Sequence, residues 1–301
     1  MFSGINAIEF NRRFKTNDDC YEYLLEHKWG NGFSCSRCGC TIQVKGRTSH
    51  HKRCQRCRYD ESVTAHTLFH AMKMPILKAF HMVFRVTAKK KGMSTVELGC
   101  EVSVQQKTAW LFKRKIQVGM KQDHHYKVKG QEQVDKSLIG MHVTRLSGKR
   151  NRKPRMAMVI AAAVMPDGTI GNLRMHEMGN FQALQKKDAV KDPADSTTQG
   201  TANNKASFKT PNTATTGTTT PPEKGPKYII RYRHLMFFKN WVVGIHHRWS
   251  KNHLYAYADE YVYRLNNRDQ RKKLFNMLIS DLMHQAPHPL PVIKRLCARS
   301  T

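Results

Sequence analysis

Acidic residues are scarce in this chain. Only 22 Asp and Glu stand against 52 Lys and Arg in 301 residues, a formal charge of +30 with a sequence pI near 10.1. Self-repulsion on that scale opposes compaction unless the partner is a polyanion. Nucleic acid leads, and an acidic membrane surface comes second. Long apolar runs are also missing. The longest, Met156 to Met165, falls well short of the roughly 20 residues that a membrane-spanning helix needs. The opening residues, Met1-Phe2-Ser3-Gly4-Ile5-Asn6, lack the basic start and apolar stretch of a signal peptide. The expectation is a cytoplasmic, nucleoid-associated chain with no membrane partner. Thiols stay reduced in that compartment, so paired cysteines point to metal rather than to disulfides.

Cysteine is sparse but patterned. Cys35 and Cys38 form one C-x-x-C pair and Cys54 and Cys57 another, with fifteen residues between the pairs. Each pair makes a tight knuckle offering two thiolates, and two knuckles complete a tetrahedral zinc site. Gly32, Gly39 and the basic loop Lys45 to Arg53 suit short hairpins around it. Cys40 competes with Cys38 on paper, but its spacing from Cys35 is wrong for a knuckle. Cys20, Cys100 and Cys297 are isolated and are expected to be buried. Ahead of the ribbon, Tyr21, Leu24, Leu25 and Trp29 recur at helical spacing after the capping candidate Asn17.

From Pro75 the pattern is again helical. Leu77, Phe80, Phe84 and Thr87 share a face, and Lys89-Lys90-Lys91-Gly92 supplies the stop signals. Ser94 with Glu97, and Ser103 with Gln106, read as capping boxes of two short helices. The second helix, expected from Val104, carries Gln105, Gln106, Lys107 and Thr108 early, then Lys113, Arg114 and Lys115, with Trp110 and Ile116 facing inward. Two such helices resemble a helix-turn-helix. Its glutamines can read adenine in the major groove, while its cations hold phosphates. A plain helical bundle with a solvated basic face is the alternative.

Beyond Lys121 the period changes to two. Gln133 to Gly140 reads as a strand with Asp135 between apolar positions. Met156 to Met165 is a buried strand, Pro166-Asp167-Gly168 a turn, and Thr169 to Met178 a third strand. Asp135 is either a functional acid or an ordinary polar residue on a half-exposed strand.

Several segments then match, in order, the bacterial insertion-sequence transposases that carry an N-terminal zinc ribbon. They are Trp29 to Cys35, Thr64 to Phe69, Gly92-Met93-Ser94, Val104 to Trp110, Val134-Asp135, Phe238 to His247 and Asp259 to Asn266. The chain resembles that family outside one central stretch. The resemblance implies an α+β protein: a small zinc ribbon, a helix-turn-helix, and a partial RNase H-like domain with C-terminal helices. It also implies structural Zn2+, catalytic Mg2+, cleavage and joining of double-stranded DNA at the element's terminal repeats, and a homo-oligomer on that DNA.

This copy departs from the family at its catalytic positions. There, two magnesium ions are held by an aspartate on the first strand, a second aspartate, and an asparagine or glutamate near the final helix, for in-line phosphoryl displacement. Asp135 matches the first position and is followed by Lys136 rather than an acid. Phe237 corresponds to the third position, and a phenyl ring does not bind magnesium. Nothing between Asp188 and Lys227 resembles the second; that stretch is Thr-, Pro-, Asn- and Gly-rich, with Asp188, Asp192 and Asp195 nearby. Its composition reads as disordered. His246 and His247 match the family and suit DNA-facing or structural roles better than metal binding. The expected partition is helix and ribbon over 1–70, the helical DNA-binding region over 71–122, the first RNase H-like strands over 123–188, the low-complexity segment over 189–226, and the remaining C-terminal part over 227–301. Catalysis is expected to be impaired.

Overall fold

The computed structural model describes residues 6–121, 131–139, 156–164, 170–177, 226–246 and 253–298. The low-complexity segment, Asp188, Asp192, Asp195 and His247 lie outside these residues.

The N-terminal unit opens with helix α1 (Ala7–Arg13), where the Asn6 side chain accepts the Ile8 N–H at 2.9 Å. Glu9 sits in its first turn and Arg12 and Arg13 in its last, which matches the helix dipole at both ends. Helix α2 (Asn17–Trp29) is capped one residue earlier than expected. Thr16 Oγ1 accepts the Asp19 N–H, and the Asp19 carboxylate accepts the Thr16 N–H, a reciprocal box. Asn17 instead accepts the Leu77 N–H at 3.1 Å and so ties α2 to the next long helix.

Strands β1 (Gln43–Lys45), β2 (His51–Cys54) and β3 (Asp60–Ser62) form a small antiparallel sheet in that order. Helix α2 packs onto it. The Lys28 ammonium lies 2.7 Å from the Glu61 carboxylate on β3 and donates to the Ser62 and Ala65 carbonyls, while Tyr21 stacks on His50.

Helix α3 (Ile76–Ala88) is buried over most of its circumference, beyond the single face its spacing implied: Ile76, Ala79, Phe80, Met82, Val83, Phe84, Val86 and Thr87 are all inside. Beyond it the chain turns at Gly92, whose φ of +84° suits a residue without Cβ. A Cβ there would come within 2.9 Å of Ile245 and 3.1 Å of Trp241. Helix α4 (Thr95–Val102) begins at Ser94, whose hydroxyl accepts the Glu97 N–H; the expected box is half made, since the Glu97 carboxylate pairs instead with Lys89 at 2.6 Å. Helix α5 (Gln106–Gly119) starts two residues later than expected, and Ser103 does not cap it. Ser103 lies at φ 54°, ψ 57° as the left-handed residue closing α4, and Gln105 takes the N-cap position without a side-chain bond. The turn is bent by the end of the first helix, not by the start of the second.

Strands β4 (Gln131–Ile139), β5 (Met156–Val164) and β6 (Ile170–Glu177) make a second antiparallel sheet with β5 central. Asp135 lies mid-strand on β4, opposite Ile160. Helices α6 (Pro226–Ile245), α7 (Leu254–Asn266), α8 (Leu274–His284) and α9 (Leu290–Ala298) follow, with a 3-10 turn, Arg268–Lys273, joining α7 to α8.

The apolar residues fall into two cores. One face of α7 joins Phe238 and Val242 of α6 over Leu173 and Met175 of β6. Helix α8, expected with the C-terminal domain, is instead sunk in the N-terminal core. Phe275 meets Phe10, Phe14 and Phe80 with ring centroids 5.8 to 6.0 Å apart. The chain's end thus completes the core that its beginning starts, and each aromatic pair adds about 0.5–1.5 kcal/mol beyond burial.

Candidate metal centre and nucleic-acid interface

The two knuckles are built alike. The Cys35 N–H donates to the Cys40 carbonyl and the Gly39 N–H to that of Cys35; the Cys54 N–H donates to Tyr59 and the Arg58 N–H to Cys54. Gly39 (φ +68°) and Arg58 (φ +57°) take the same left-handed position in each turn. Cys40 therefore closes the first knuckle through its backbone, as Tyr59 closes the second. Its sulfur faces the Ile42 carbonyl and stays out of the ligand set.

The sulfurs of Cys35, Cys38, Cys54 and Cys57 all lie within 4.8 Å of one another, with Cys35–Cys57 at 3.6 Å and Cys38–Cys54 at 3.5 Å. A tetrahedral zinc with Zn–S bonds of about 2.3 Å spaces its sulfurs by about 3.8 Å, so the donor set fits zinc. Electrostatics point the same way. A hydrogen bond from the Cys57 backbone, joined by one from Arg56, draws the Cys54 thiol down to about 6. At Cys38 the Cys40 backbone bond is outweighed by burial and by the three neighbouring sulfurs, and that thiol is pushed up to about 12. Four thiolates this close need a cation between them. These four cysteines would hold the ion and cross-link the ribbon's two halves. They are the one such cluster of His, Cys, Asp or Glu among the described residues.

Of the isolated cysteines, Cys20 is fully buried, and burial raises its thiol to about 12, as suits an inert apolar side chain. Cys100 is exposed, contrary to expectation. It occupies the solvent side of the short α4. The side chain of Cys297 lies outside the described set.

On α5 the expected DNA contacts divide into two groups. Gln105, Gln106 and Lys107 are exposed at its start, and Thr108 is half-buried. Lys113 and Arg114 point the other way, with 2 % and 4 % exposure. Lys113 donates to the Met93 carbonyl and lies 3.3 Å from the Glu260 carboxylate. Arg114 donates to Gln117 and to the Tyr257 hydroxyl, and its guanidinium lies over the Tyr257 ring. Assigning phosphate contacts to this pair is corrected: partners on α7, more than 140 positions away in the chain, turn both cations into the interior. Ile116 is buried as expected, whereas Trp110 is half-buried against His253 and Arg114.

Glu260 and Arg264 were not singled out from the sequence, although their i, i+4 spacing on a helix is a readable pairing signal. Glu260 is fully buried. Burial raises its pKa, but Lys113, Arg264 and Gln117 outweigh that and hold it at about 2. Arg264 also donates to the Val86 and Lys89 carbonyls, so α7 caps the end of α3. His246 stacks on Tyr257 with centroids 4.2 Å apart, a structural position. Phe237 is 56 % exposed on α6, edge-on to His234. For magnesium, the described residues supply no cluster of acids, and the side chain at Asp135 lies outside them.

The family model of the transposase zinc-ribbon domain matches residues 15–60. No curated protein and no solved structure matches the chain. No helix among the described residues is long and apolar enough to cross a membrane. The match spans α2, both knuckles and β1–β2, and ties this stretch to a transposase-related, DNA-binding role with structural zinc.

Proposed function

We propose that the chain is an insertion-sequence transposase by descent that binds the terminal repeats of its element and is impaired in cutting and joining them. The carrying observation is the four-cysteine cluster inside a stretch that matches transposase zinc ribbons, in a chain of net charge +30. In this reading zinc fixes the ribbon, and α4 and α5 form the helix-turn-helix. The exposed Gln105, Gln106 and Lys107, with Thr108 beside them, approach base edges and phosphates. The sheet bearing Asp135 belongs to an RNase H-like domain, and two copies act together on DNA.

Strand transfer by two metals needs several oxygen ligands around a pair of cations. Here Asp135 is the one matched ligand, Phe237 stands at the third position, and the second position has no motif. That favours a non-catalytic role, in which the chain occupies element ends or competes with an intact transposase. The test is a fluorescence titration of the zinc-loaded chain with duplexes carrying the repeats that flank its gene. Tight, salt-sensitive binding that prefers the repeats supports the proposal. Absence of duplex binding at low salt rejects it.

A further inference from the structure

We infer that the connector Arg268–Lys273 is a second DNA-contacting surface, one that grips duplex phosphates without reading sequence; this rests on the proposed DNA-binding function. The connector reads Arg-Asp-Gln-Arg-Lys-Lys, four cations to one acid. Arg268, Lys272 and Lys273 are exposed and Arg271 is half-exposed. Arg271, Lys272 and Lys273 have no carboxylate partner among the described residues, and Asp269 is engaged, at 3.9 Å, with Arg268 alone.

Their position is costly to the fold. Lys273 is the N-cap of α8, gives no side-chain cap bond, and is followed by no acid in the first turn. Cations at that end oppose the helix dipole, and the first turn's N–H groups gain nothing from them. The preceding 3-10 turn, where cations would be favourable, is only six residues long and is broken by non-helical geometry at Gln270. An ordinary solvated charge run has no reason to gather at this place, whereas a phosphate-binding surface does.

The mount is rigid. Asn267 is buried and donates to the Tyr263 carbonyl, and Asn266 makes two hydrogen bonds to the Leu173 backbone of β6, at 2.9 and 3.0 Å. Beyond the connector, α8 is fixed in the N-terminal core. The cations therefore stand between α7, which is tied to the second sheet, and α8, which is fixed in the N-terminal core. The chemistry selects the class of partner. No aromatic side chain lies in the connector to stack unpaired bases, which argues against single strands. The apolar face of α8 is buried, so nothing inserts into a bilayer.

The test uses the full zinc-loaded chain and Arg271→Gln/Lys272→Gln/Lys273→Gln. With about 0.9 counterions released per phosphate contact, the slope of log affinity against log salt should become shallower by about 2 to 3. Affinity for duplexes of any sequence should fall at least about tenfold at moderate salt, and preference for the repeats should persist. The thermal midpoint should hold or rise, because unfavourable charge leaves the helix end. Unchanged affinity and slope in the triple variant, while the unaltered chain binds duplex, overturn this proposal alone. Duplex binding absent from the unaltered chain overturns the functional reading along with it. A loss confined to single strands or to anionic vesicles assigns the surface to another partner and overturns it too.

Discussion

The Lys113 ammonium and the Glu260 carboxylate meet 3.3 Å apart in an interior that leaves Glu260 wholly buried and Lys113 2 % exposed. The contact joins α5, which bears the exposed glutamines, to α7, which also caps α3 through Arg264. Removing Glu260 leaves the Lys113 ammonium buried without its ion-pair partner, whereas removing Lys113 leaves Glu260 still paired with Arg264 at 2.9 Å and bonded to Gln117. Glu260→Gln should therefore destabilise the fold by about 3–5 kcal/mol, and Lys113→Met/Glu260→Gln by less than Glu260→Gln alone. Denaturant titration checks this. Because Lys113 is buried, the salt slope of DNA binding should not change in the folded Lys113→Met protein.

The same pair sets an acid limit. Glu260 is held at about 2 against an ordinary 4.5. A folded value below the unfolded one contributes stability fully present above about pH 4.5 and lost as pH falls toward 2. Thermal midpoints taken across that window should drop steeply in the unaltered chain. Glu260→Gln should start lower at neutral pH and fall less across it.

Zinc should be present at about one ion per chain by elemental analysis. Chelation, or Cys54→Ser, should unfold the ribbon, because metal binding supplies much of the folding free energy of so small a unit. Ribbon stability unchanged by either treatment contradicts the four-thiolate site.

Gly92→Ala should cost about 1–3 kcal/mol, from the left-handed backbone and the crowding against Ile245 and Trp241. Trp241 donates to the Lys91 carbonyl beside this turn. A loss of tryptophan fluorescence anisotropy in the variant would report α6 loosening from it. An unchanged midpoint argues that the turn relaxes freely.

What was legible in the sequence was what is local. Two knuckles, the Ser94 cap, and three strands, read from an alternating run, a buried apolar run and the return after a turn, follow from neighbouring residues, so short-range patterns located them. Lys113 and Arg114 were misplaced because a basic stretch looks solvated until Glu260 and Tyr257 arrive from far along the chain. Ser103 looked like a cap because a capping pattern does not reveal a left-handed backbone. Phe275 gave no hint that α8 closes the N-terminal core, since an apolar stripe does not name its partner. At the metal centre the sequence sufficed, including the exclusion of Cys40 by its spacing; the hydrogen bonds of the turn add that its backbone closes the knuckle.

The chain is proposed to bind DNA as a transposase by descent without cutting it. The most direct test is a strand-cleavage assay with the zinc-loaded protein bound to labelled duplex from the repeats flanking its gene, with magnesium or manganese added. Complete occupancy of the duplex with both strands intact is expected, with no gain of activity from Phe237→Asn. Metal-dependent nicking by the unaltered chain, abolished by Asp135→Ala, would contradict this proposal and would show that an acid outside the family motif completes the site.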